Sequence, residues 1–265
     1  GRGRIVLLSG EAGIGKTRTL DELADVARRL GVQVARGAGN PHPGAPPYWP
    51  ILEIFRELSA ARPMQRLRRE VAAIAPGLLA PADEDEAGVA DGTDVPGSDA
   101  TRFRLFDAAT QCLDRASQLG PLLLLLDDLH DAGGSSLELL DFLSRSVGRM
   151  PLLLVAAYRP DGAMRAPGRA RSLARLAERD ATRVAKVEAL SDSEARELVR
   201  RHQRRALDPE WVETLTRRAQ GNPFYLVELA RLLGAEDDAR RGQPGAAQEL
   251  PPGSMQRLLQ DRLAE

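Results

Sequence analysis

The sequence predicts an α/β fold: a five-stranded parallel sheet between helices, followed by a small all-helical unit. Short continuous apolar runs at residues 5–8, 122–126 and 152–158 alternate with longer stretches that carry a helical stripe. Such runs suit strands buried on both faces. After residue 190 the apolar runs stop and only helical patterns remain. Alternating strands and helices build a sheet covered on both sides.

Taken in order, Ile5 to Leu8 reads as the first strand. It enters Ser9-Gly10-Glu11-Ala12-Gly13-Ile14-Gly15-Lys16-Thr17 and then a helix with Leu20, Leu23, Ala24, Ala27 and Leu30 on one face and Gly31 as its stop. Val32 to Arg36 is the second strand. Residues 37–50 hold three glycines and five prolines around Tyr48 and Trp49, the composition of a loop. Ile51 to Leu58 is a short helix. Residues 76–100 are so rich in Pro, Gly, Asp and Glu that they are expected to form a flexible insertion. Helix returns from Thr101 to Leu119, closed by Gly120-Pro121. Leu122 to Leu126 is the third strand, ending in Asp127-Asp128. Ser135 with Glu138 has capping-box spacing, ahead of a stripe of Leu137, Leu140, Leu143 and Val147. Leu152 to Tyr158 is the fourth strand, and Arg183 to Val187 is the candidate fifth.

Beyond residue 190, Ser191 with Glu194 opens a helix toward Gln203 through a second capping box. Asp208-Pro209 and Asn222-Pro223 each place a capping residue before a proline at the first helical position. These helices are expected to end near Gly221 and Leu233. The expected organisation is an α/β domain over 1–190, a helical unit over 191–234, a polar linker over 235–249, and a new element begun at 250–265.

Composition excludes several classes. At 265 residues the chain fits one large domain, or one with a small companion. The 37 basic and 38 acidic residues balance to a net charge of −1, against the basic surface of a dedicated nucleic-acid binder. The longest strongly apolar run, five leucines, is far short of the roughly 20 residues of a membrane span. A single cysteine, Cys112, rules out an intramolecular disulfide and fits a reducing, cytoplasmic setting; its apolar helical neighbours suggest a packed thiol. The start, Gly1-Arg2-Gly3-Arg4, lacks an initiator Met and a signal-peptide pattern, and the chain is expected to be a piece of a longer protein. His42, His130 and His202 lack ligand spacing. The arginines from Arg165 to Arg183 read as a solvated face more readily than as a nucleic-acid contact.

Gly10-x-x-x-x-Gly15-Lys16-Thr17 is the Walker A pattern of a P-loop NTPase. Its backbone N–H groups make an anion nest at a helix N-terminus, where the dipole favours negative charge. Residues 10–18 are the candidate nucleotide-binding set: Gly10, Glu11, Ala12, Gly13, Ile14, Gly15, Lys16, Thr17 and Arg18. Lys16 is expected to reach the β- and γ-phosphates of ATP or ADP, and Thr17 to hold Mg²⁺. It is also one of only two lysines in the chain. The plainer reading is a glycine turn with an incidental lysine. Asp127, at the end of a neighbouring parallel strand, is the second candidate Mg²⁺ ligand. Asp128 is the candidate to orient or deprotonate the attacking water, although an acidic pair can simply end a strand. Arg159, at the tip of the fourth strand, lies at the sheet edge where α/β folds bind ligands and is the candidate γ-phosphate sensor. Its alternative is an ordinary loop arginine.

With Pro47-Tyr48-Trp49-Pro50, Asp127-Asp128-Leu129-His130-Asp131-Ala132, Ala157-Tyr158-Arg159 and Gln220-Gly221-Asn222-Pro223-Phe224 in that order, the chain resembles the ATPase module of large ATP-binding LuxR-type transcriptional regulators. These are signal-transduction ATPases with numerous domains, related to AAA+ proteins. The resemblance implies that Arg159 is the sensor arginine, that residues 191–234 form a lid with Pro223 near the adenine, and that 250–265 opens a winged-helix domain. Asp131 departs from the tryptophan common in the family. The resemblance further implies a slowly hydrolysing ATP switch, with ATP-dependent self-association and with DNA contacted only through a domain outside this chain. The competing readings are a nucleotide-holding module without turnover, an ATPase module of a kinase or cyclase fusion, a phosphotransferase, and a DNA-translocating motor.

Overall fold

The computed structural model describes residues 2–40, 42, 46–60, 99–161, 167–202 and 209–240. The chain divides into two compact units, Gly1–Ala189 and Leu190–Glu265. The expected insertion before Asp99, the Asp208 cap and the element at 250–265 lie outside the described residues.

In the first unit the described strands are β1 (Arg4–Ser9), β2 (Gln33–Ala38), β3 (Leu122–Asp127), β4 (Leu152–Tyr158) and β5 (Thr182–Lys186). They form one sheet in the order β2-β3-β4-β1-β5, every pair parallel. The helices are α1 (Lys16–Arg29), α2 (Trp49–Ala60), α3 (Asp99–Gln118), α4 (Gly134–Val147) and α5 (Pro167–Ala177). This is the α/β, parallel-sheet fold that the apolar runs predict. It also corrects one expectation: β3 is not beside β1, because β4 lies between them. Only long-range pairing fixes strand order, so spacing along the chain does not reveal the intervening strand.

The five leucines of β3 show why the strand is apolar at every position before Asp127. Leu122, Leu124 and Leu126 enter a large core with Ile5, Leu7, Ile54, Leu113, Leu140 and Leu154. Leu123 and Leu125 face the other way, into a smaller core with Leu8, Leu20, Ala24, Val155 and Ala157. Side chains alternate along a strand, so a double-sided strand has no polar face to spare. Cys112 is a packed core thiol, 1% exposed. Tyr48, Phe106 and Phe142 pack in the larger core through edge-to-face and tilted ring contacts at 5.5–5.9 Å.

At one sheet edge, the N–H groups of Arg36 and Ala38 in β2 donate to Glu57 Oε2 (2.5 Å) and Glu53 Oε2 (2.8 Å) of α2. These carboxylates satisfy donors that a bare edge would offer to another chain.

Several local expectations change. Leu30 is 75% exposed, because α1 ends at Arg29 and Leu30 caps it in a non-helical conformation. Ser135 does not cap α4; the helix begins at Gly134 with Gly133 as its cap, and Glu138 instead pairs with Arg102 at 3.3 Å. The arginine run is more than a solvated face. Arg179 forks onto both oxygens of Asp141 (2.9 Å each), and Arg169 donates to the His130 carbonyl.

The second unit contains α6 (Asp192–His202), α7 (Pro209–Ala219) and α8 (Pro223–Arg240), packed around Ala195, Val199, Leu215, Leu226 and Leu229. The Ser191 capping box forms: its N–H donates to Glu194 Oε2 (2.8 Å), and the Glu194 N–H donates to Ser191 Oγ (3.4 Å). Asn222 Oδ1 accepts the Phe224 N–H at 3.1 Å, capping α8. Gln220 (φ 49°) and Gly221 (φ 73°) turn the chain between α7 and α8. Helix α8 passes its expected end near Leu233 and runs to Arg240, so the first residues of the expected linker are helical. Ala, Glu and Arg at 235–240 are helix formers, and no proline interrupts them.

Candidate functional site

The sheet brings the ends of β1, β3 and β4 to one edge, the edge where parallel α/β folds bind ligands. Residues 10–15 follow β1 there. Gly15, at φ 102° and immediately before α1, takes a backbone conformation that residues with a Cβ rarely adopt, and α1 starts without a side-chain cap. Ile14 is buried and pins the loop.

Lys16 is 6% exposed. Its Nζ donates to the carbonyls of Gly10 (3.0 Å) and Glu11 (2.7 Å), drawing the loop around the ammonium. Burial pushes its pKa below the ordinary lysine value, and the charge of Arg159 adds to this; Asp128 and Asp127 pull the other way. A lysine, an arginine and two carboxylates from three separate parts of the sequence therefore act on one another at this edge. Thr17 and Arg18 are exposed on the first turn of α1, where Arg18 pairs with Glu22.

Asp127 is 6% exposed, and both its oxygens are engaged. Oδ1 accepts the N–H of Asp128 (3.0 Å), while Oδ2 accepts Nη2 of Arg36 (3.2 Å). Arg36 also donates through Nη1 to Asp21 of α1. Asp128 is half-buried and held at φ 46°, ψ 44°, in the left-handed region. Arg159 follows the last residue of β4 and is exposed. Pro223 opens α8 in the second unit.

Three participants were not among the sequence candidates. Arg36 is one; its signal was the single charged side chain in its strand. His130 is another, 6% exposed, with Nδ1 3.8 Å from Asp128 Oδ1 and Nε2 3.5 Å from Asp131 Oδ2. Burial lowers its pKa, opposed by Asp131 and Asp128 and assisted by Arg159 and Lys16. Asp131 thus supplies a carboxylate near this imidazole. Gly39 is the third: its N–H donates to the Asp127 carbonyl (2.8 Å), and a Cβ there would lie 2.1 Å from the Asp128 carbonyl oxygen.

The donor chemistry of Thr17 and Asp127, a hydroxyl and a carboxylate, suits a hard divalent cation such as Mg²⁺. Among the described residues no group of three or more His, Cys, Asp or Glu is arranged to hold a metal. No helix among them is long and apolar enough to cross a membrane.

No curated protein matches the sequence. Among solved structures, a Signal Transduction ATPase with Numerous Domains with a tetratricopeptide repeat sensor, from Pyrococcus horikoshii, aligns with 100% of this chain at 13% identity and a TM-score of 0.53. The chain covers 31% of that protein's length. A point mutant of Thermotoga maritima RuvB aligns with 90% of the chain and 56% of its own at 15% identity and a TM-score of 0.47. AMPPCP-bound DnaA from Aquifex aeolicus aligns with 90% and 58% at 13% identity and 0.42. The first of these likenesses is one of fold. A family model described as an AAA ATPase domain matches residues 1–155, more than half of the chain, and the protein belongs to that family.

Proposed function

We propose that this chain is the ATP-binding and slowly hydrolysing switch module of a larger bacterial transcriptional regulator of the LuxR type. The observation that carries the nucleotide reading is Lys16, a nearly buried ammonium that closes a glycine loop at the binding edge of the sheet. Membership of the AAA ATPase domain family supports it. The regulator assignment rests on the sequence resemblance.

In this reading Lys16 gives up its two carbonyls when a polyphosphate enters the loop, and its charge then offsets that of the β- and γ-phosphates. Backbone N–H groups of residues 10–18 supply the remaining donors. Thr17 and Asp127 hold Mg²⁺, which screens phosphate charge when bound. Arg159 meets the γ-phosphate, and Asp128 orients the attacking water. The resemblance gives the helices of the second unit the role of a lid and Pro223 that of the adenine-side residue. ATP and ADP then favour different arrangements of that lid and different degrees of self-association, through contacts that differ between the two states. DNA is contacted through another part of the regulator.

Calorimetric titration with Mg·ATP tests the site. Lys16→Ala is expected to weaken binding at least tenfold, since a charge-assisted contact contributes about 1.5–3 kcal/mol. Equal affinity in the two proteins refutes the assignment. Single-turnover hydrolysis separates a switch from a module that only holds nucleotide. No ADP formed over hours with ATP bound removes the hydrolytic part of the proposal.

A further inference from the structure

Asp127 already has a cation. Its Oδ2 accepts Nη2 of Arg36 at 3.2 Å, while Oδ1 is held by the Asp128 N–H at 3.0 Å. The guanidinium is itself anchored: Nη1 donates to Asp21 on α1, and the Arg36 backbone N–H donates to Glu57 Oε2 at 2.5 Å. The bridge therefore links the helix of the glycine loop, strand β2 and the carboxylate at the end of β3. Attraction to Asp21 and Asp127 outweighs the burial that works against the charge, and the Arg36 pKa is raised. The guanidinium keeps its charge at any physiological pH.

We infer that Arg36 is a built-in counter-cation that competes with Mg²⁺ for Asp127, so that the Arg36–Asp21–Asp127 bridge sets how much divalent ion the nucleotide site requires. A divalent ion at Asp127 must share a carboxylate whose two oxygens are both in use. It would also add two positive charges to a carboxylate that already holds a fixed one. At the dielectric of water, repulsion between a divalent ion and a unit charge about 5 Å apart weakens divalent binding by roughly tenfold. Asp21 moderates the effect by taking part of the guanidinium's attraction. Arg36 is thus a positioning residue for Asp127, and it acts against the metal.

This inference rests on the nucleotide reading above, and the test separates the two. A fluorescent ATP analogue is titrated into the chain at fixed concentration across a range of Mg²⁺, and the midpoint in Mg²⁺ for nucleotide binding is recorded. Arg36→Gln is expected to lower that midpoint about tenfold. Asp21→Asn, which leaves the guanidinium to Asp127 alone, is expected to raise it a few-fold. A merely structural role predicts that both substitutions disturb the site and move the midpoint upward together. An unchanged or raised midpoint in Arg36→Gln overturns the inference while leaving the nucleotide reading intact. If Arg36→Gln does not fold, Arg36→Met, which keeps the packing of the stem without the charge, is measured in its place: a lowered midpoint supports the competition, and an unchanged or raised one overturns it. If the unaltered chain binds no nucleotide at any Mg²⁺ concentration, the nucleotide reading falls and the inference with it.

Discussion

Adding one methyl group at Gly39 is expected to slow hydrolysis on the order of a hundredfold without emptying the nucleotide site. The Cβ of Gly39→Ala would stand 2.1 Å from the Asp128 carbonyl oxygen and 3.0 Å from the Ala132 nitrogen. Ordinary contact begins near 3.4 Å, so one of the two segments must retreat by about 1.3 Å. The Gly39 N–H is hydrogen-bonded to the Asp127 carbonyl, which ties the strand to the segment it would push. The Asp128 backbone, at φ 46°, has little freedom to absorb the movement. Overpacking of this kind costs about 1–3 kcal/mol, visible as a lowered melting temperature. A displacement of about 1 Å at a positioning residue reduces turnover on the order of a hundredfold. Residues 10–17 lie on another strand and loop, so ATP affinity is expected to change less than about threefold. Single-turnover hydrolysis, nucleotide titration and thermal melting measure the three effects separately. Gly148→Ala is the control, because no atom lies within 4 Å of a Cβ there. A folded Gly39→Ala protein that hydrolyses ATP at the unaltered rate would refute the role given to Asp128.

Asp128→Asn is expected to reduce hydrolysis by a factor of at least about a hundred, the usual contribution of a positioned general base. ATP binding should stay within about twofold of normal, and a comparable loss of both would count against Asp128 acting on water. His130 gives a pH test. Its folded pKa lies below the ordinary 6.5, chiefly through burial, so the unfolded chain takes up a proton first as pH falls. Stability is therefore lost as pH drops through about 6.5 toward the folded value, and His130→Gln should flatten that loss; melting curves at pH 7.5 and 5.5 with equal drops in both proteins would contradict it. Arg179→Gln removes a forked pair with Asp141 that joins the end of α5 to α4. The expected cost is about 1–2 kcal/mol by chemical denaturation, with nucleotide affinity unchanged.

How far the sequence carries depends on the range of the interactions involved. Elements came through because local patterns encode them: continuous apolar runs for β3 and β4, capping residues at Ser191 and Asn222, and helical stripes for α1 and α4. The glycine loop was legible for the same reason, since its geometry depends on Gly13, Gly15 and their neighbours. Arg36 was not. Its partner Asp127 is 91 residues away, and the two meet only because β2 pairs with β3. His130 stood in a recognisable stretch, but it is buried in the fold, with Arg169 donating to its carbonyl from 39 residues away. Ser135 shows the opposite failure, where a local signal was present and the chain chose another cap. Gly133 adopts an extended conformation that starts α4 (φ −61°, ψ 158°), while Glu138 finds Arg102 across the surface.

The strand between β1 and β3 acts as a spacer with a set thickness. Two inter-strand steps, roughly 10 Å in all, separate the strand that launches the glycine loop from the one that ends in Asp127. At the site end of that spacer β4 carries Ala156 and Ala157, both 0% exposed, one in each core. Ala157 shares its core with Leu20 and Ala24 of α1, so α1 can lie low over the sheet. A larger side chain at 157 would act as a wedge beneath that helix, tilting it and lifting the attached loop away from the carboxylates. The width of the candidate site is then set by the backbone of one strand, and the height of its loop by the single methyl of Ala157 beneath α1.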